Sequence, residues 1–398
     1  MVNRPNYIEA IAPFIDQPLV KILAGIRRCG KSTIFEMLEE LLRRDVSVDH
    51  IIRKRYTEMD IPESITAKQM HNELLDAMAG KGHCYLLLDE IQEITGWERA
   101  VNSLLEGTDA DIYVTGSNSK LMSSEISTYL TGRYVSIPVY TLSFREYLDF
   151  KASSALSQKE LLEEYIRFGG FPIIALSEYD AQNAYQIVNG IYHTVVSRDI
   201  LKRHRINKQD IFDRVVKFII ENVGKTFSAN SISTFLKSEH CKVSVESIYN
   251  YLRWLEQAFI IYPCERYDLQ GKSILKTQEK YYLADVSLKY ALLGYNRKML
   301  DGAMENIVFL ELKRRGYDVY IGKNETKEID FVAARRDERI YVQVCVQLPE
   351  GSDREVGHLM EIKDHYPKYV VTLNDMDVGI ENGIRIVHLQ DFLLAEMW

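Results

Sequence analysis

Apolar runs of strand length alternate with amphipathic stretches over the first 140 positions, the pattern of a parallel sheet covered by helices. Strands are expected at 19–25, 51–59, 84–89, 111–116 and 134–140. Directly after the first of these, Lys31 to Arg44 carries apolar residues at 34, 35, 37, 38, 41 and 42, a helical spacing. From 143 to 208 the period is helical throughout, with stretches at 143–150, 158–168 and 182–204 broken by Gly169-Gly170-Phe171-Pro172. Helices at 209–223, 229–238 and 244–258 then precede strands at 259–267 and 280–285, the order of a winged helix. The remainder reads as a small α/β domain: a helix from Met304 to Arg315, strands at 317–323, 328–335, 339–347 and 368–373, and a helix near 353–365. The pattern therefore predicts an α/β core at 1–142, a helical lid at 143–208, a winged-helix-like domain at 209–299 and a terminal α/β domain at 300–398.

The loop between the first strand and its helix supplies the first chemistry. Gly25-x-x-x-x-Gly30-Lys31-Ser32 is a phosphate-cradling P-loop. Its two glycines let the backbone N–H groups of the loop, through Arg28, Cys29, Gly30 and on to Thr33, converge on phosphate oxygens. The following helix aims its N-terminal dipole at the same place. Lys31 is expected to reach the β- and γ-phosphates, and the Ser32 hydroxyl to ligate Mg²⁺. The third strand ends in Asp89-Glu90, expected beside the P-loop strand, where Asp89 would hold the metal and Glu90 would polarise the attacking water. Ser117 and Asn118, after the fourth strand, suit either a γ-phosphate sensor or a helix N-cap. Arg133 suits either a phosphate-stabilising finger, within the chain or from a neighbouring subunit, or a surface ion pair.

Composition narrows the partners. A length of 398 residues calls for two or three domains, and a net charge of −8 argues against a protein that coats nucleic acid through its overall field. Cysteines 29, 84, 241, 264 and 345 form no C-x-x-C pair, which suits a reducing cytoplasm and argues against disulfide or zinc frameworks. No apolar run approaches the roughly 18 residues of a membrane span. The expected reading helix of the winged segment, from Ser244 to Gln257, carries Arg253 against Glu246 and Glu256, and its Tyr, Trp and Leu residues suit packing better than a DNA groove. The basic run from Arg198 to Lys208 suits a solvated helix end, with phosphate or partner contact as the alternative.

In order, the segments LAGIRRCGKST, YLLLDEIQEI, VTGSNSKLMSSEISTYLTGRY, YTLSFREYLDF, FGGFP and VVSRDIL resemble the prokaryotic AAA-type ATPases. In that family a P-loop core precedes a winged-helix segment and a restriction-endonuclease-like domain of unknown function. The resemblance implies Mg-ATP bound by Lys31, Ser32 and Asp89, with Glu90 as catalytic carboxylate, Ser117 or Asn118 as sensor and Arg133 as finger. It leaves the biological role open. At the expected nuclease centre the chain has Asp330 and then Gln343-Val-Cys345 in place of Glu-x-Lys, so the terminal domain is expected not to cleave nucleic acid. The function expected is ATP hydrolysis that drives conformational change and binding of a protein partner, in a chain able to oligomerise. The alternatives are an ATP-dependent DNA-handling protein and a non-hydrolysing nucleotide-sensing scaffold.

Overall fold

The computed structural model describes residues 2–58, 65–122, 126, 129–130, 132–204, 206, 208–271, 273–325, 327–349 and 354–398. The chain divides into two compact units, one formed by Met1–Tyr140 with Gln257–Phe259 and the other by Thr141–Glu256 with Ile260–Trp398.

The first unit opens with helix α1 (Pro5–Ile11) and strand β1 (Val20–Ala24), followed by α2 (Lys31–Leu42) and β2 (Ile51–Arg55). It continues through α3 (Ala67–Met78), β3 (Cys84–Asp89), α4 (Trp97–Gly107), β4 (Ala110–Gly116) and β5 (Tyr134–Pro138). Residue 59, where the second strand was expected to end, lies outside the described residues. The five strands form one parallel sheet in the order β2-β3-β4-β1-β5. Every residue of β1 and β3 is buried, as strands with helices on both faces require. Helix α2 turns Ile34, Phe35, Met37, Leu38 and Leu42 inward, so the spacing seen in the sequence is the packed face. Strand β3 does not lie beside the P-loop strand, as expected from the sequence, because β4 is inserted between them. At the N-terminal end of the sheet Lys21 is fully buried, paired with Asp111 and donating to the Gln17 carbonyl at 2.8 Å. Burial lowers its pKa, opposed by that carboxylate.

In the second unit the helical block comprises α5 (Phe144–Phe150), α6 (Gln158–Phe168), α7 (Pro172–Ala175) and α8 (Ala181–Val195), with a π-helical turn at Val196–Leu201. Capping boxes start α5 and α6: Ser143 pairs with Glu146, and Ser157 with Glu160. The basic run expected at 198–208 begins in the π-helical turn, and its Arg205 lies outside the described residues. Helices α9 (Gln209–Glu221), α10 (Ala229–Ser238) and α11 (Val245–Gln257) lead to the hairpin β6 (Ile261–Asp268) and β7 (Ser273–Leu283). Then follow α12 (Ser287–Leu293), α13 (Leu300–Arg314), β8 (Asp318–Asn324), β9 (Lys327–Arg335), β10 (Glu338–Val344) and α14 (Arg354–Met360). The chain ends with β11 (Lys368–Thr372), β12 (Gly379–Glu381), β13 (Ile384–His388) and α15 (Leu389–Leu394).

The hairpin expected as a free wing joins the terminal sheet instead. Strand β6 pairs in parallel with β8, giving the order β12-β13-β11-β10-β9-β8-β6-β7, so the segments expected as separate domains at 209–299 and 300–398 share one sheet. Strand β7 also docks on α13. The Asn306 side chain accepts from the Leu283 N–H at 2.6 Å and donates to the Leu283 carbonyl at 2.9 Å, in the manner of a neighbouring strand, while Tyr282 stacks on Phe309 at 4.4 Å.

The Gly-Gly pair of the FGGFP segment is explained by Asp285. This buried carboxylate accepts from the Gly170 N–H at 2.8 Å and from the Ser287 N–H at 3.0 Å, and it also pairs with the Ser287 hydroxyl. Gly169 has φ +71°, and a Cβ there would collide with the Asp285 carboxylate. Gly169→Ala is therefore expected to cost more than about 2 kcal/mol, read as a lower urea midpoint in equilibrium unfolding.

Candidate functional site

The C-terminal ends of β1, β3 and β4 gather most of the residues singled out in the sequence. Gly25 continues β1 past the sheet edge. Its N–H donates to the Gly116 carbonyl at 3.2 Å, and a side chain there would strike the Val139 carbonyl oxygen, so only glycine lets the loop turn at this place. Arg28 and Gly30 both hold positive φ, 68° and 102°. Cys29 is buried, with its thiol pKa raised mainly by burial, and its carbonyl accepts from Arg4 Nη1 at 2.8 Å. Arg4, 1% exposed, also donates from Nη2 to the Tyr140 carbonyl at 3.1 Å. One guanidinium thus ties the loop to the chain leaving the sheet.

Lys31, Ser32 and Thr33 begin α2, with Gly30 in the cap position. Lys31 Nζ donates to the Gly25 and Ile26 carbonyls at 2.9 and 3.2 Å and lies 3.9 Å from Glu90 Oε1. Glu90 takes a left-handed conformation at φ 56°, which turns its carboxylate back toward the loop. Gln92 Nε2 donates to Glu90 Oε2 at 2.5 Å, Arg27 Nη1 lies 3.5 Å from the same oxygen, and Ser117 Oγ stands at 3.5 Å. Asp89 is fully buried. One of its oxygens accepts from the Thr115 hydroxyl, and the other from Arg55 Nε at 3.0 Å. Thr115 also accepts the Glu90 N–H at 3.0 Å, so a single β4 hydroxyl holds the Asp89 carboxylate and the Glu90 backbone together. Ser117 and Asn118 are buried just past the end of β4, ahead of a 3-10 turn at Ser119–Met122.

The structure brings Gly25, Arg28, Cys29, Gly30, Lys31, Ser32, Thr33, Asp89, Glu90, Ser117 and Asn118 to one end of the sheet. It does not bring Arg133 there. That residue precedes β5, and Val20 at the start of β1 pairs with the neighbouring Tyr134, so Arg133 sits at the opposite end, about 15 Å along the strand from the P-loop. Its guanidinium pairs with Glu106 and donates to Asn102 at 3.2 Å. The expectation that Arg133 reaches a phosphate within its own chain is thereby corrected, because parallel pairing of β5 with β1 places it at the wrong sheet edge. Arg4, Arg55 and Thr115 escaped the sequence reading. Thr115 falls inside the quoted VTGSN segment, whereas Arg4 and Arg55 belong to no motif.

A family model described as an AAA domain matches residues 17–148, and one described as a domain of unknown function matches 159–298. An uncharacterized protein of Haemophilus influenzae is 35% identical over 398 residues, covering 99% of each chain. A second uncharacterized protein, from Methanocaldococcus jannaschii, is 31% identical over 89% of this chain and 82% of its own. The solved structure of a Walker-type ATPase of Pyrococcus abyssi superposes with a TM-score of 0.53 at 15% identity, over 73% of this chain and 96% of that one, a likeness of fold. Among the described residues no helix is long and apolar enough to cross a membrane.

A second cluster of charge lies in the other unit. Lys280 on β7 is 3% exposed, with Nζ 3.3 Å from Glu305 of α13, 2.9 Å from Glu328 and 3.6 Å from Asp330, both on β9. Tyr282 donates to Glu305 at 3.1 Å. Asp330 accepts the Val344 N–H at 2.9 Å, and Gln343 Oε1 accepts the Asp330 N–H at 3.2 Å. Cys345 is buried, its thiol pushed up to about 12 mainly by burial.

Burial, reinforced by Asp330, raises the Glu305 carboxyl from 4.5 to about 8, against the pull of Lys280. A carboxyl that binds its proton more tightly when folded stabilises the fold below the unfolded pKa and loses that contribution as pH rises through the folded one. Wild type should therefore lose stability between about pH 4.5 and 8 relative to Glu305→Gln. Denaturant midpoints for the two proteins across that range check the difference.

Proposed function

The chain belongs to the family of its Haemophilus influenzae relative, P-loop proteins built on an AAA domain, and from that premise we propose that it binds and hydrolyses ATP with Mg²⁺ to reposition itself on a protein partner. The observation that supports this most is the meeting of Lys31, Asp89, Glu90 and Ser117 at one end of one parallel sheet. In this reading the loop N–H groups beyond Gly25, on to Thr33, and the N-terminus of α2 hold the phosphates, and the Lys31 ammonium leaves its two carbonyl partners for the phosphate oxygens. Ser32 and Asp89 offer hard oxygen donors, which suit an ion that keeps much of its water shell. When bound there, Mg²⁺ supplies charge neutralisation for the transferring phosphoryl group. Glu90 orients the attacking water and takes up its proton. Ser117, beside that carboxylate, or the buried Asn118 next to it in the chain responds to the γ-phosphate.

Arg133 acts, in this reading, on the nucleotide of a neighbouring copy. The partner is read as protein because α11 offers no basic face: its one Arg, Arg253, stands with Glu246 and Glu256 among Tyr, Trp and Leu residues.

Lys31→Ala is expected to abolish ATP binding, measured by equilibrium titration. Glu90→Gln should keep ATP bound and lower turnover by about 10²-fold or more. Tight ATP binding by wild type with no turnover, alone or with added DNA, would replace hydrolysis with nucleotide sensing. Arg133→Ala should lower turnover only under conditions where the native mass shows assembly. Loss of turnover in a strict monomer would remove the role in trans.

A further inference from the structure

The acidic centre of the second unit is built around a cation already supplied by the chain. In a working nuclease of the fold that the sequence resembles, Asp330 and a neighbouring carboxylate would hold a divalent metal, but the residues present do not fit one. Asp330 Oδ2 is engaged by the Val344 N–H, and its Oδ1 faces the Lys280 ammonium. Glu305 Oε2 is shared by Lys280 and the Tyr282 hydroxyl, and Glu328 Oε1 stands 2.9 Å from the same ammonium. Gln343, where the nuclease pattern places its second carboxylate, is turned onto the backbone of Asp330. Among the described residues no group of three or more His, Cys, Asp or Glu side chains is arranged to hold a metal ion. At 3% exposure for Lys280 and 8% for Asp330, the pair at its middle lies below the surface, with Glu328 at the rim.

We infer that Lys280 is the resident cation of this centre, standing where the resemblance calls for a metal, and that the carboxylates of Glu305, Glu328 and Asp330 serve to anchor β7 to α13 and β9. Strand β7 is the last strand of its sheet and pairs there with β6 alone among the described residues, so its hold on the far side of the unit depends on side chains. The ammonium supplies that hold. Asn306, which pairs with the Leu283 backbone, and the Tyr282–Phe309 stack extend it along α13. Holding Asp330 out of water is costly without a compensating charge, and the Lys280 ammonium, 3.6 Å from it and within 3.3 Å of the less buried Glu305 and Glu328, supplies one. The lysine comes from the hairpin that precedes α13 rather than from the strand where the nuclease pattern places its own. The centre is therefore a structural joint between the hairpin and the terminal segment.

The test uses the full-length protein without nucleotide, so that the P-loop site takes no part. Manganese titrations followed by electron paramagnetic resonance should be the same for wild type and Asp330→Asn. Uptake of one Mn²⁺ by wild type that is lost in Asp330→Asn would overturn the inference. Lys280→Met should lower the melting temperature by about 5 °C or more. Part of that loss should return in Lys280→Met/Asp330→Asn, because a carboxylate left without its cation is removed along with it. If Lys280→Met fails to fold while the double variant folds, the same conclusion holds. A double variant no more stable than Lys280→Met, or a Lys280→Met that melts with wild type, would overturn it. ATP binding through Lys31 is measured separately and is expected to survive in the double variant.

Discussion

Everything proposed for the first unit depends on one close approach of backbone to backbone. At the end of β1 the chain must turn between the ends of β4 and β5 with no room for a side chain, and Gly25 meets that requirement against the Val139 carbonyl. Its N–H is spent on Gly116, while the Ala24 carbonyl accepts the Val139 N–H at 2.8 Å, so the turn is stitched to both neighbouring strands. The loop N–H groups beyond it are then free of strand pairing and can converge on an anion. Arg4 holds the far side of the loop by its Cys29 carbonyl. The P-loop is thus a rigid feature of the sheet rather than a flexible connector laid across it.

Deep cations recur in both units, each held by polar groups around it. Lys21 meets Asp111 at the N-terminal end of the parallel sheet, where parallel α/β folds place stability rather than chemistry. Arg4 donates to the Cys29 and Tyr140 carbonyls and to the Tyr7 hydroxyl, and its guanidinium lies 4.5 Å from the Tyr7 ring centre. Lys280 serves three carboxylates at once. In the candidate nucleotide site the partners differ in kind: Lys31 donates to two carbonyls, and Glu90 is shared among Gln92, Arg27 and Ser117. A lysine held by neutral carbonyls can exchange them for the oxygens of an arriving phosphate, as the proposed role requires and a structural joint does not.

The strand–loop–helix unit, the apolar face of α2 and the Asp89-Glu90 strand end were all legible in the sequence. Each is encoded within a few consecutive residues, because helical spacing and phosphate cradling act over one or two turns of chain. The insertion of β4 between β3 and β1, the capture of the β6–β7 hairpin by β8 and the position of Arg133 were not legible. Those depend on which strands become neighbours, and a strand's own pattern of apolar residues is the same whichever partner it finds. Thr115 shows the boundary most clearly. Its hydroxyl is ordinary in the sequence and becomes the bridge between Asp89 and Glu90 only because β3 and β4 pair in the register that sets Leu88 opposite Val114. Lys280 acquires its meaning the same way, from carboxylates 25 and more residues away that folding alone brings within reach of its ammonium.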